Sequence, residues 1–304
     1  MLTARLRSMA AVVLFLSSVT GTASSPAPRA QGAGGRRAEI LVAVLGKNEQ
    51  PVDGLTNKDF IVREDNVSRE IVSVRPGVGP SHIVFLVDDS QANINQTSFL
   101  RDSVKAFLTN VAAHKPAPQV RLTTFGDRPT VRQEFTSALP VLTKAADRLV
   151  PLLGAGSQLL AAISETCRDL KKQRIAGAAI VIVLNEASQE FSDESHARIE
   201  EDLQSSGAAL WAVVQQNAAS RGETTQGRER AIVLGDVTRA SGGMRETVLS
   251  VQGLMPGLER VGTALMSQYA ITYGQADRLI PASRVSVETT DRGLTVLVRR
   301  WVAP

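Results

Sequence analysis

The stretch His82-Ile83-Val84-Phe85-Leu86-Val87-Asp88-Asp89-Ser90 places an unbroken apolar run directly before two carboxylates and a hydroxyl. A strand with one wet face alternates apolar and polar residues. A short run without alternation is what a strand buried on both faces of a parallel sheet requires. Reading outward, Phe99, Val104, Phe107, Leu108 and Val111 recur at helical spacing within Phe99 to Ala113. Val120 to Phe125 is a strand, and Val131 to Phe135 is placed to pair with it as an antiparallel edge across Gly126-Asp127. Helical patterns follow at Leu139 to Leu149 and Leu159 to Leu170, and Ala178 to Leu184 is a second fully apolar strand. Ser195 to Leu203 reads as a helix and Ala208 to Val214 as a strand. Strands alternating with helices over residues 80–268 spell an α/β fold with a doubly wound, mostly parallel sheet.

The flanks have a different texture. In residues 38–78, Glu39 to Leu45, Asp59 to Glu64 and Glu70 to Val74 are short strands, separated by turn chemistry at Gln50-Pro51-Val52-Asp53-Gly54 and Asp65-Asn66. In residues 269–304, Tyr269 to Tyr273, Arg284 to Glu288 and Thr295 to Val302 are strand-like, with Asp291-Arg292-Gly293 a hairpin turn signal. Neither flank can bury a core alone, so both are expected to pack together as a small antiparallel β unit beside the α/β domain. Residues 1–23 read as a signal peptide: Arg5 and Arg7 precede the apolar run Met9 to Leu16, and Gly21-Thr22-Ala23 is a cleavage context. Residues 24–37, rich in Ser, Pro and Gly, read as a linker. No cysteine near the cut offers a lipid anchor and no later stretch is apolar over a membrane's thickness. The expectation is an exported, periplasmic or extracellular chain.

Composition narrows the classes of function. The 304 residues are 43% hydrophobic and 21% charged, an ordinary globular balance. Aromatics are 4%, too few for a platform that stacks single-stranded nucleic acid. The formal charge of +4 falls to +2 without Arg5 and Arg7, which is no polyanion-binding face. One cysteine, Cys167, excludes an internal disulfide and a cysteine-rich zinc site. It falls on the apolar stripe of its helix and is expected to be a buried, inert thiol. His82, His114 and His196 have no ligand spacing and read as surface side chains, Lys171 to Arg174 as a helix-end cap, and Ala218 to Arg230 as a polar loop.

In a doubly wound sheet, ligands bind at the carboxyl ends of the strands. Val87-Asp88-Asp89-Ser90-Gln91-Ala92-Asn93 stands there. A phospho-accepting receiver is excluded, because Val131 to Phe135 has no aspartate and Ala209 to Gln216 no lysine. An aspartate-nucleophile phosphotransferase lacks its second acid, since Ser90 occupies that position, and Gly154-Ala155-Gly156-Ser157 is no phosphate loop. A divalent-cation site shared between loops remains, beside the bland reading that Asp88 and Ser90 only cap the strand-to-helix turn. Here the chain resembles the von Willebrand factor A-type domain, and within it a bacterial exported VWFA-related group. The resemblance is carried by Pro51 to Thr56 with Asp59-Phe60 and Glu64-Asp65, the Asp88 strand, Gly156-Ser157, Val181 to Leu184, Thr238 to Gly243, and Tyr269 to Tyr273.

That resemblance implies a cation site in which Asp88 and Ser90 supply the first loop, Ser157 a hydroxyl in place of threonine, and Asn185 stands where an aspartate is usual. The second serine position is Ala92, which has no donor. With one matched carboxylate the site is degenerate, and weak or absent Mg²⁺ binding is expected. The implied function is a non-catalytic binding or adhesion module. It would contact a protein partner through the carboxyl edge, with Asp89, Gln91, Asn93 and Glu186 as candidate partner-binding residues. No nucleic acid and no integral membrane segment is implied. The contrasting readings are a metal-assisted hydrolase using Asp88, Asp89 and Glu186, and a structural envelope component.

Overall fold

The computed structural model describes residues 36–216, 224–275 and 282–301. The expected leader and most of the linker lie outside the described residues. So do the first part of the 218–230 loop and the end of the last expected strand.

The chain begins with strands β1 (Arg37–Leu45), β2 (Phe60–Glu64), β3 (Val67–Arg69) and β4 (Ile71–Val78), then enters the apolar strand β5 (His82–Val87). Helix α1 (Thr97–Ala112) leads to β6 (Gln119–Thr124) and β7 (Thr130–Thr136), followed by α2 (Leu139–Asp147) and α3 (Leu159–Lys172). The second apolar strand, β8 (Ala179–Asn185), is followed by α4 (His196–Ser206) and β9 (Ala209–Gln215). Residues 225–266 continue the α/β pattern. Helix α5 (Thr225–Ile232) passes through a π-turn (Val233–Val237) into α6 (Thr238–Ala240), then come strand β10 (Arg245–Val248) and helix α7 (Leu254–Met266). Strands β11 (Gln268–Gly274), β12 (Val285–Thr289) and β13 (Thr295–Leu297) close the fold.

Six strands form the central sheet in the order β10-β9-β8-β5-β6-β7, all parallel except β7, which runs antiparallel to β6 as its sequence implied. Alternation inside the apolar strands now has a use on each side. Ile83, Phe85 and Val87 pack with α1, α2 and α7, while Val84 and Leu86 pack with α3, α4 and the π-turn region. Phe85 meets Phe107 of α1 with ring centroids 4.6 Å apart. The buried stripe of α1 is Leu100, Val104, Phe107, Leu108 and Val111. Phe99, read as part of that stripe, lies one residue off it and is exposed.

The flanking strands interleave to a degree that the sequence does not show. One sheet has the order β13-β1-β11-β4 and another β12-β2-β3, with Phe60, Tyr269, Ile271, Tyr273 and Val285 in the core between them. In β1, Ile40, Val42 and Val44 face this sandwich, whereas Ala43 and Leu45 join the helical core of the α/β layers. The turn at Asp291-Arg292-Gly293 forms, with Gly293 N–H donating to Asp291 Oδ1 at 2.8 Å. Its two strands go to different sheets, β12 beside β2 and β13 beside β1, and the two arms meet each other at their far ends, where Arg284 and Trp301 form an antiparallel bridge. A turn signal specifies a reversal, and burial decides which sheet receives each strand. The loop expected through Arg230 is also corrected, since its final residues form α5, capped by Thr224 Oγ1 accepting from Gly227 N–H at 3.0 Å.

Cys167 is buried in the α3 core, and burial pushes its thiol up to about 12. At neutral pH it holds almost no thiolate. A disulfide reagent is therefore expected to label nothing in native buffer and one thiol per chain in guanidinium. Rapid native labelling would contradict the packing.

Candidate functional site

Strand β5 turns to α1 on one side of the sheet, and its neighbours β6 and β8 lie on opposite flanks, so the order reverses at β5. The crevice between the carboxyl ends of β5 and β8 is the switch point. Asp88 leaves β5 with its backbone N–H still bound to Val183 O at 3.1 Å, which fixes the start of the loop.

Asp88 is fully buried, and its two oxygens are shared among neighbours. Oδ1 accepts Ser90 N–H at 2.9 Å, and Oδ2 accepts Asn185 N–H at 3.0 Å and the Ser188 hydroxyl at 2.5 Å. Since Ser188 donates to Asp88, its oxygen is left to accept from the Ser90 hydroxyl, also at 2.5 Å. Burial raises the Asp88 pKa from the usual carboxylate range, opposed mainly by the Ser188 hydrogen bond and then by those from Ser90 and Asn185.

A second buried carboxylate lies beside it. Glu190 accepts the Ser157 hydroxyl at 2.8 Å on Oε2 and the Ser192 hydroxyl at 2.6 Å on Oε1. Burial raises its pKa too, against these hydrogen bonds and the charge of Arg230. Arg230, from α5, is itself buried. Its Nη1 donates to Ser188 O at 2.5 Å and stands 3.8 Å from Glu190 Oε2, and its Nη2 donates to Glu186 O at 3.3 Å. Burial lowers the arginine's pKa, while Glu190, Asp88 and Glu186 act to hold its proton. A guanidinium in low dielectric is retained only when carboxylates and carbonyls surround it in this way.

The candidate residues thus divide. Asp88, Ser90 and Asn185 are brought together, whereas the Ser157 hydroxyl is spent on Glu190. Asn185 turns its side chain to the first loop, donating to Ala92 O at 3.1 Å. Asp89 and Asn93, named for partner contact, are buried. Asp89 faces away from Asp88, accepting Gly126 N–H at 2.6 Å and pairing with Arg132 at 2.9 Å. A Cβ at position 126 would sit 2.7 Å from Asp89 Oδ1, so this approach needs glycine. Asn93 donates to Asp88 O at 2.8 Å, and both residues therefore brace the loop. Gln91 is exposed and Glu186 half-buried, the latter 3.8 Å from Arg245. Ser188, Glu190, Ser192 and Arg230 complete the cluster. Alternation after the apolar run of β8 could have suggested Ser188 and Glu190, but no pattern singled out Arg230.

The profile of the von Willebrand factor type A domain matches residues 83–187, which run from β5 to just past β8. The chain carries a von Willebrand factor type A domain. No curated protein matches the sequence. Among solved structures, human COPII-coat protein Sec24c is similar at 11% identity and a TM-score of 0.44, over 75% of this chain and 44% of that one. An aerotolerance-related membrane protein from Bacteroides fragilis NCTC 9343 is similar at 13% and 0.44, over 60% and 98%. BatB from Bacteroides thetaiotaomicron is similar at 11% and 0.42, over 61% and 99%. The chain thus spans under half the length of the Sec24c chain.

The side chains of this type A domain do not fit the dication its family resemblance implies. Asp88 is fully buried with hydrogen bonds to both oxygens, Ala92 offers no side-chain oxygen, the Ser157 hydroxyl points to Glu190, and a guanidinium already brings positive charge to the cluster. Among the described residues no group of three His, Cys, Asp or Glu could hold a metal ion. The carboxylates of the hydrolase reading also fail to converge, since Asp88 and Asp89 are committed to opposite sides of the loop. Among the described residues no helix is long and apolar enough to cross a membrane.

Proposed function

We propose that the protein is an interaction module whose type A domain engages a protein partner through the carboxyl edge without a bridging dication. The observation that carries this reading is the surface above the buried cluster. The loops there are knit together by Leu152 N–H to Asp89 O at 2.8 Å, Gln91 N–H to Ala155 O at 3.0 Å and Phe191 N–H to Ser157 O at 2.8 Å. On these loops Ile94, Leu152, Leu153 and Phe191 are exposed, Leu153 at 88%. Apolar side chains gathered on ordered loops, with a polar neighbour in Gln91, are the composition of an interface core. The charged groups beneath hold the loops rather than meet the partner. Residues 1–23 support export, which puts the partner in the periplasm or outside the cell.

The test is affinity capture from the native envelope fraction with and without chelator, beside calorimetric titration with Mg²⁺. A defined partner is expected to be retained in chelator and lost in Leu153→Asp and Phe191→Asp, with no saturable Mg²⁺ heat. Capture that requires Mg²⁺, or that survives both substitutions, would overturn the proposal. So would hydrolytic turnover abolished by Asp88→Ala.

A further inference from the structure

At the opposite, amino end of the parallel strands lies a cavity of about 410 Å³ between the central sheet and the β sandwich. Leu41, Pro80 and Leu265 supply apolar wall, and Arg299 is the cationic side chain in the lining. Arg299 Nε and Trp211 Nε1 are both buried and neither has a hydrogen-bond partner. No carboxylate pairs with Arg299 among the described residues, and burial lowers its pKa below the ordinary arginine value. Glu39, the acid at this cavity, is already tied to Arg75 at 2.7 Å. Those two nitrogens are closed to solvent, so what the cavity offers a ligand is the half-buried guanidinium of Arg299 with no carboxylate beside it.

We propose that this cavity is a binding site for a small organic carboxylate with an apolar body. The chemistry of the lining selects that class. A guanidinium is a planar fork that matches a carboxylate, an acceptor-only group. A phosphate dianion would call for more positive charge than one arginine supplies. The apolar walls reward a hydrocarbon portion, and the volume lies in the range of small-molecule pockets. Gly207 leaves room at the guanidinium, since even a Cβ there would stay 3.8 Å from Arg299 Nη1. The site is separate from the carboxyl edge, so its test is independent of the partner.

Calorimetric titration of the full chain with hexanoate, benzoate, hexanamide and inorganic phosphate decides the matter. Hexanoate or benzoate is expected to bind saturably, and hexanamide at least about tenfold more weakly, because the amide forfeits the charge-assisted pairing. Arg299→Leu is expected to abolish carboxylate binding. Should that variant fail to fold, Ala176→Phe, at an exposed lining position, is expected to block entry with the fold intact. No saturable binding of either carboxylate overturns the proposal. So does equal binding of hexanoate and hexanamide, phosphate binding in preference to both carboxylates, or carboxylate binding that survives the folded variants.

Discussion

Arg230→Met is expected to destabilise the protein by about 3–5 kcal/mol, the cost of leaving a buried charge without its partner. Methionine replaces much of the arginine's apolar stem, so the loss reports the guanidinium rather than a cavity. Without it, Ser188 O and Glu186 O lose their donors, and Glu190 remains buried with no cation beside it. Hydrogen bonds from Ser157 and Ser192 hold Glu190 in place but carry no charge. The fall in Tm is expected on the order of 10 °C. Glu190→Gln alone should also destabilise, because it breaks a satisfied network. In the Arg230→Met background it is expected to restore stability, since the neutral amide oxygen can still accept from serine. A double-mutant cycle in denaturant should therefore show a coupling above about 1 kcal/mol. Additive losses, or an Arg230→Met protein as stable as wild type, would mean that the guanidinium does not hold the cluster together.

That expectation depends on residues of unequal visibility in the sequence. Ile83 to Val87 and Ala179 to Leu184 declare themselves, because only a strand covered on both faces lacks polar alternation over such a length. Asp88 follows from topology, as the first polar residue past a central parallel strand. Arg230 is invisible to the same logic. It sits in a polar run, and its burial is created by Glu190 and by Ser188 O, forty-odd residues earlier in the chain. The partner face divides in the same way. Gln91 stays outside, while Asp89 and Asn93 fold inward because Gly126 N–H, Arg132 and the Asp88 carbonyl lie within reach. In the β frame, the strands are legible one by one and their pairing is not. Long-range partners such as Ala38 with Tyr273 have no local signature.

Gly243→Ala is expected to cost more than about 4 kcal/mol, enough to threaten a domain whose whole stability is about 5–15 kcal/mol. A Cβ at this position would lie 1.8 Å from Leu210 O and 2.7 Å from its carbonyl carbon. Those are backbone atoms of β9, pinned on their other side by the β8 pairing, so no side-chain rotation relieves the clash. The close approach is needed locally. Ser241 Oγ accepts Leu210 N–H at 2.8 Å, and Ala212 N–H donates to Met244 O at 2.9 Å, so the chain crosses β9 at Gly243 to begin the edge strand β10. This gives the Thr238 to Gly243 likeness to the type A family a steric meaning. Gly235→Ala is the matched control, since a Cβ there meets nothing within 4 Å. Within a helical π-turn it is expected to be neutral, or stabilising by up to about 1 kcal/mol. Comparable denaturation midpoints for the two variants would refute the argument, because a Cβ at 243 meets the β9 backbone and one at 235 meets nothing within 4 Å. A soluble but loosened Gly243→Ala protein would still be informative. Gly242 packs against the backbone of Arg299, with a Cβ there only 2.5 Å from Arg299 N, so displacing this crossing should disturb the carboxylate pocket before the carboxyl edge.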